Sequence, residues 1–124
     1  MNYAWVFLGG GLGAMLRHGV NLSAARWIGT SFPYGTLIAN ITGSLVMGLL
    51  AGYFAFRGDA PQWLRLFLMT GILGGYTTFS AFSLDAVLLA ERGQWGLASI
   101  YVLSSVGAAI LGLVVGLTIM RQFV

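Results

Sequence analysis

The chain has 124 residues, 58% hydrophobic and only 7% charged, with 19 glycines and a formal net charge of +3. Soluble domains carry about 25% charged residues, so this composition excludes a lone soluble enzyme, a disordered chain and a nucleic-acid binder, and fits packed membrane helices. Zero cysteine removes disulfides and thiolate metal sites, and a single histidine is too few for a multi-histidine zinc site within one subunit.

Four apolar segments follow in chain order, giving an all-α membrane protein with one transmembrane domain over residues 1–124. The first, Met1 to Leu16, carries no charge but falls short of the roughly 20 residues a span needs. A helix over about 3–21 is therefore expected, with Arg17 at an interface or in a protein-lined cavity. No basic region precedes it, so no cleavable signal peptide is expected. The second, Tyr34 to Phe56, is 23 residues without a charge. Arg57-Gly58-Asp59-Ala60-Pro61 then reads as a turn, with Pro61 suited to a helix start. The third segment predicts a helix over about 62–84, broken near 74–78, and the fourth predicts one over about 95–121, long enough to span with tilt. The tryptophans at 5, 27, 63 and 95 lie near segment ends, as in an aromatic belt.

The six arginines divide evenly: Arg57, Arg65 and Arg121 on one side, Arg17, Arg26 and Arg92 on the other. Excess Lys/Arg normally marks the cytoplasmic side; a balanced count expresses no preference and points to dual topology. Each segment also carries a GxxxG pair: Gly9–Gly13, Gly48–Gly52, Gly71–Gly75 and Gly112–Gly116. Such stripes permit close helix approach, and four in so short a chain favour homo-oligomerisation over internal packing.

The stretch Gly74-Gly75-Tyr76-Thr77-Thr78-Phe79-Ser80-Ala81-Phe82-Ser83 is the richest in chemistry. Paired glycines before Thr-Thr disfavour continuous helix, and a break at membrane depth frees backbone groups that protein, water or an ion must satisfy. The alternative is a Gly-rich packing surface with hydroxyls bonded back to their own helix. With helix resuming near Thr78, Phe79 and Phe82 share one face beside Ser83, and their electropositive ring edges can meet an anion. In the second segment Thr36, Asn40 and Ser44 form an i, i+4, i+8 polar stripe, and the Asn40 amide needs partners in hydrocarbon. In the fourth, Tyr101 and Ser105 are i, i+4, followed by Ala109. Together these helices supply a narrow path of hydroxyls, an amide and ring edges without fixed charge. Asp85 reads as an interfacial acid rather than a proton-linked one, Glu91–Arg92 as a solvated loop pair, and His18 as an interfacial polar residue.

Three stretches then make a resemblance specific. Gly10-Gly11-x-Gly13-Ala14-x-x-Arg17, Pro33-x-Gly35-Thr36-x-x-x-Asn40-x-x-Gly43 and Gly71-x-x-Gly74-Gly75-x-Thr77-Thr78-Phe79-Ser80-x-Phe82-Ser83 resemble, in order and spacing, the signature stretches of the Fluc/CrcB fluoride channels across nearly the whole chain. The resemblance implies an antiparallel, dual-topology homodimer in a bacterial inner membrane, with two pores carrying fluoride passively out of the cytoplasm. It implies pore roles for Phe79, Phe82, Asn40, Ser83, Thr36, Tyr101 and Ser105, with Ala109 replacing a hydroxyl found in some members. It further implies Arg17 as a vestibule residue and a structural sodium ion held by the backbone carbonyls of Gly74 and Thr77. Two rivals remain: a small proton-coupled multidrug exporter, which would need a carboxylate in the first helix that Met1–Leu16 lacks, and a non-transporting scaffold subunit.

Overall fold

Where water is absent a backbone must satisfy its own hydrogen bonds, and the charge-free runs accordingly form helices throughout. The computed structural model describes residues 2–56 and 58–123, all helix and short connections: α1 (Asn2–Trp27), α2 (Tyr34–Phe56), α3 (Gln62–Arg65), a π-wound stretch (Leu66–Leu73), α4 (Gly74–Tyr76), α5 (Phe79–Glu91) and α6 (Trp95–Phe123). From α3 to α5 the chain makes one interrupted segment, Gln62–Glu91.

Three stretches are long and apolar enough to cross a membrane: Tyr34–Ala55, Gln62–Glu91 and Trp95–Phe123. α1 is not among them. Its 26 residues include Arg17, His18 and Arg26, which dilute its hydropathy.

Helix ends differ from the sequence expectation where the stop signal lies further on. α1 runs to Trp27 rather than residue 21, because Leu22 to Trp27 contain no breaker and termination waits for Gly29. That glycine adopts φ +120°, and its N–H, with that of Ile28, returns to the Ala24 carbonyl at 3.0 and 2.8 Å. α5 likewise passes Leu84 and continues to Glu91. Gly93, at φ +80°, allows Gln94 N–H to reach the Leu89 carbonyl at 3.0 Å, a left-handed helix end favouring glycine. Pro61 caps α3 in extended conformation, as its position in the turn predicts. The π winding of Leu66–Leu73 has no counterpart in the sequence reading.

The four GxxxG stripes pair off inside one subunit, which corrects their assignment to oligomerisation. Gly9 and Gly13 of α1 face the third segment, where a Cβ on Gly13 would collide with the Ile72 carbonyl and one on Gly75 with the Gly10 carbonyl. Gly48 of α2 lies on the Leu113 carbonyl of α6, and Gly116 of α6 on the Leu45 carbonyl of α2. Backbone meets backbone at both seams, which Cα–H···O contacts stabilise weakly. The stripes are used up in building the fold and leave other surfaces for any partner. A small core of Phe82, Leu89, Ala98 and Tyr101, backed by Phe32 and Leu37, joins α5 and α6.

Candidate functional site

The break forms where α4 stops at Tyr76. Thr77 (φ −85°, ψ 157°) and Thr78 (φ −152°, ψ 126°) are extended, so two residues leave the helix before α5 begins. Thr78 caps α5: its Oγ1 accepts from the Ala81 N–H at 3.2 Å, the usual role of a hydroxyl residue at this position. Thr77 turns its hydroxyl back to the Leu73 carbonyl at 2.9 Å, which also accepts the Thr77 N–H at 3.0 Å.

Asn40 on α2 closes the gap. Its Oδ1 accepts from Thr78 N–H at 2.8 Å and its Nδ2 donates to the Thr78 carbonyl at 3.0 Å. One side chain thereby satisfies both backbone groups of a residue outside helical geometry, the partner an amide requires in an apolar medium. Arg17 supplies a second tie. Its Nε donates to the Gly75 carbonyl at 3.2 Å, placing a cation at the C-terminal end of α4. A third runs from Tyr76, whose hydroxyl lies 2.9 Å from Thr42 Oγ1. Neither Thr42 nor Tyr76 was singled out by the sequence, because a threonine bonded to its own helix and a tyrosine before Thr-Thr carry no distinctive spacing.

Two carbonyls lose their helical donors as a result. The Thr78 N–H, which would pair with the Gly74 carbonyl in continuous helix, goes to Asn40; the Ala81 N–H, which would pair with the Thr77 carbonyl, goes to Thr78 Oγ1. These are the carbonyls the sequence resemblance associates with an ion, and Gly74 is exposed in the single subunit. Among the described residues no group of three or more His, Asp or Glu could hold a metal.

A cavity of about 280 Å³ adjoins the break. Asn40, Ser44, Thr77, Thr78, Phe79, Phe82, Ser105 and Ala109 contribute to its wall, which carries no charged side chain. The Phe79 and Phe82 rings lie 5.5 Å apart; Phe82 is buried, whereas Phe79 is 77% exposed. Among the described residues Ser105 Oγ is buried without a hydrogen-bond partner, an unusual state for a hydroxyl.

The sequence matches the family described as CrcB-like protein, Camphor Resistance (CrcB), over residues 4–117. The chain belongs to that family. It is 66% identical over 121 residues to a protein of Rhodopseudomonas palustris (strain BisB5) named Fluoride-specific ion channel FluC, covering 98% of each chain. It is 62% identical over 122 residues to Fluoride-specific ion channel FluC 2 of Nitrobacter hamburgensis, again covering 98% of each. A Methylobacterium nodulans protein, also named Fluoride-specific ion channel FluC, is 62% identical over 123 residues, covering 99% of this chain and 98% of its own length.

In this CrcB-like chain the sequence-predicted residues divide into groups. Asn40, Phe79, Phe82, Thr77 and Ser105 gather at the cavity beside the break. Thr36 is buried but lines a separate cavity of about 300 Å³, at the α1–α2 connection, with Asp85 and Arg92. Tyr101, fully buried, stands between the two. Its ring is 5.2 Å from that of Phe82, and its hydroxyl donates to Asp85 Oδ2 at 3.1 Å. Asp85 is thus tied to Tyr101 while lining the cavity at the α1–α2 connection; the i, i+3, i+6 spacing Phe79, Phe82, Asp85 was the available signal for that contact. Ser83 is turned away, donating to the Phe79 carbonyl at 2.9 Å. Arg17 lines neither cavity.

Proposed function

We propose that this chain forms a fluoride-selective channel, releasing cytoplasmic fluoride passively across a bacterial inner membrane. The names of its relatives support the ion, and the multi-pass helical architecture supports a membrane pore. The observation that carries the reading is the Ser105 hydroxyl, buried and without a partner, in the same uncharged cavity as the Asn40 amide and the Phe79 and Phe82 rings. A free hydroxyl donor and ring edges suit a small anion that must be partly dehydrated to pass. Fixed positive charge would hold such an ion too tightly; neutral donors let it leave. No covalent step is involved. Hydrofluoric acid crosses membranes neutral and ionises in a near-neutral cytoplasm, so the bilayer traps the anion, and a membrane potential negative inside drives it out through an open pore.

The working unit in this reading is an antiparallel, dual-topology homodimer. Phe79, 77% exposed beside a buried Phe82, supports a second subunit completing the ring-lined wall, and the balanced arginines support insertion in both orientations. The freed Gly74 and Thr77 carbonyls fit a structural sodium ion shared across the two-fold axis: two oxygens from each subunit give an uncharged oxygen cage for a hard cation. Thr36 and Tyr101 extend the hydroxyl path beyond Phe82, and Ser83 would join it only by releasing the Phe79 carbonyl. Arg17 keeps its proposed effect on anions near the mouth, although its Nε serves the break.

Fluoride efflux from liposomes containing the purified protein, read with a fluoride electrode beside a chloride control, tests the proposal. Rapid fluoride release with negligible chloride release, lost in Phe79→Ile, is the expected result. A dimeric preparation releasing no fluoride overturns it in favour of the scaffold.

A further inference from the structure

Among the described residues, a cation away from the break has only one weak polar partner. Arg65 closes α3 just before the π-wound stretch. Its guanidinium carbon sits 5.5 Å from the centroid of the Phe54 ring, and Phe54 is itself buried, so the side chain is held across the α2–α3 junction. Its Nε is buried and, among the described residues, has no hydrogen-bond partner. Among the described residues its one side-chain hydrogen bond is a long one, from Nη2 to the Gly58 carbonyl at 3.5 Å. A guanidinium presents five N–H donors and stays charged at any ordinary pH; the buried Nε is closed to an incoming group, which leaves the Nη donors to receive one.

The surroundings indicate what completes it. Trp63, two residues earlier, stacks on Trp5 of α1 with ring centroids 4.7 Å apart, and Trp5 meets Phe67 edge-on at 5.9 Å. Such a cluster at the start of a membrane-crossing segment belongs at headgroup level. The oxygen-rich groups available at that depth are lipid phosphates, which match the planar guanidinium fork.

We infer that Arg65, held over Phe54 at the depth marked by the Trp5–Trp63 pair on the other face of the segment, is a binding site for the phosphate of an anionic glycerophospholipid, which anchors the start of the third membrane segment. A net anion is favoured over a zwitterionic headgroup because the Arg65 charge itself needs compensation. The site stands apart from the ion cavity and does not rest on the fluoride reading.

Native mass spectrometry of the purified, full-length protein titrated with phosphatidylglycerol tests it, with phosphatidylcholine and inorganic phosphate as separate probes. Arg65→Gln, which retains a side-chain donor for folding, is expected to weaken the first phosphatidylglycerol binding by about tenfold. Arg121→Gln, removing an exposed arginine at the end of α6, should leave that step unchanged. Equal weakening by the two substitutions would reduce the effect to general surface charge and overturn the site. Binding unaffected by Arg65→Gln overturns it as well. Displacement of phosphatidylglycerol by millimolar inorganic phosphate would assign the site to a soluble anion instead of a lipid.

Discussion

Asn40 and Thr78 exchange two hydrogen bonds, 2.8 Å from the Thr78 N–H to Oδ1 and 3.0 Å from Nδ2 to the Thr78 carbonyl. The pair is 38 residues apart in sequence and joins α2 to the only extended backbone within the third segment. Because the amide fills both gaps at once, the break at Thr77–Thr78 is a satisfied structure rather than a local defect.

Replacing Asn40 by Ala strands both Thr78 groups where water is scarce. A loss of about 2–4 kcal/mol follows from two unpaired buried polar groups, together with loss of fluoride efflux. Asn40→Asp is expected to do no better, since a carboxylate accepts from the N–H but repels the carbonyl. Thermal unfolding in detergent beside liposome flux measures both. Flux surviving in a destabilised Asn40→Ala would confine the residue to scaffolding.

Ser105 predicts the opposite balance. Its Oγ bonds to no group among the described residues, so Ser105→Ala leaves nothing unpaired and should keep stability or raise it by up to about 1–3 kcal/mol, the cost of a buried unpaired hydroxyl. The hydroxyl is lost to any passing ion, and fluoride efflux should fall several-fold. Ser104→Ala is the control, because Ser104 Oγ donates to the Ile100 carbonyl at 2.6 Å, within its own helix. Unchanged flux in Ser105→Ala would remove this hydroxyl from the path.

Glycine substitutions test the two seams by sign. In an exposed helix Gly→Ala is stabilising by about 0.5–1 kcal/mol. Gly19 on α1 has nothing within 4 Å of an added Cβ, and Gly19→Ala should follow that rule. Gly13→Ala should instead destabilise by about 1–3 kcal/mol, as overpacked sites do, because its Cβ would enter the Ile72 carbonyl and approach Tyr76 N at 2.8 Å. Unfolding midpoints of the two variants decide the matter; equal shifts would place the α1 seam elsewhere.

Much of this was legible in the sequence, and the reasons for the rest are physical. Segment positions followed from runs without charge, and the break from Gly-Gly-x-Thr-Thr, whose members disfavour helix. The GxxxG spacing announced close approach but not its partner: whether Gly13 meets another subunit or Ile72 depends on tertiary arrangement. The π winding of Leu66–Leu73 has no compositional mark, since its residues suit an ordinary helix equally. The segment was ended at Leu84, so Asp85 was read apart from Tyr101; α5 extends to Glu91, and from within it the acid reaches Tyr101.

That contact gives a prediction. Tyr101→Phe keeps the ring against Phe82 at 5.2 Å and Phe32 at 5.4 Å and removes only the donor to Asp85. A destabilisation of about 1–3 kcal/mol is expected from the carboxylate left without it, with reduced flux. Asp85→Asn retains a carbonyl acceptor and should preserve more flux than Tyr101→Phe. The reverse order in paired flux measurements would assign the charge of Asp85, rather than its hold on Tyr101, to conduction.

Sodium removal addresses the carbonyls that Asn40 and Thr78 set free. Gly74 and Thr77 lose their helical donors to the Asn40 and Thr78 side chains, and an acceptor left bare in hydrocarbon costs several kcal/mol. Something must satisfy them, and the proposed sodium ion between two subunits would do so without adding anionic charge near the proposed anion path. Purification and assay with N-methylglucamine in place of sodium should therefore abolish fluoride efflux and raise the monomer fraction in analytical ultracentrifugation. Restored sodium should recover both. Full efflux from a stable dimer without sodium would show that water or a partner N–H serves these carbonyls instead.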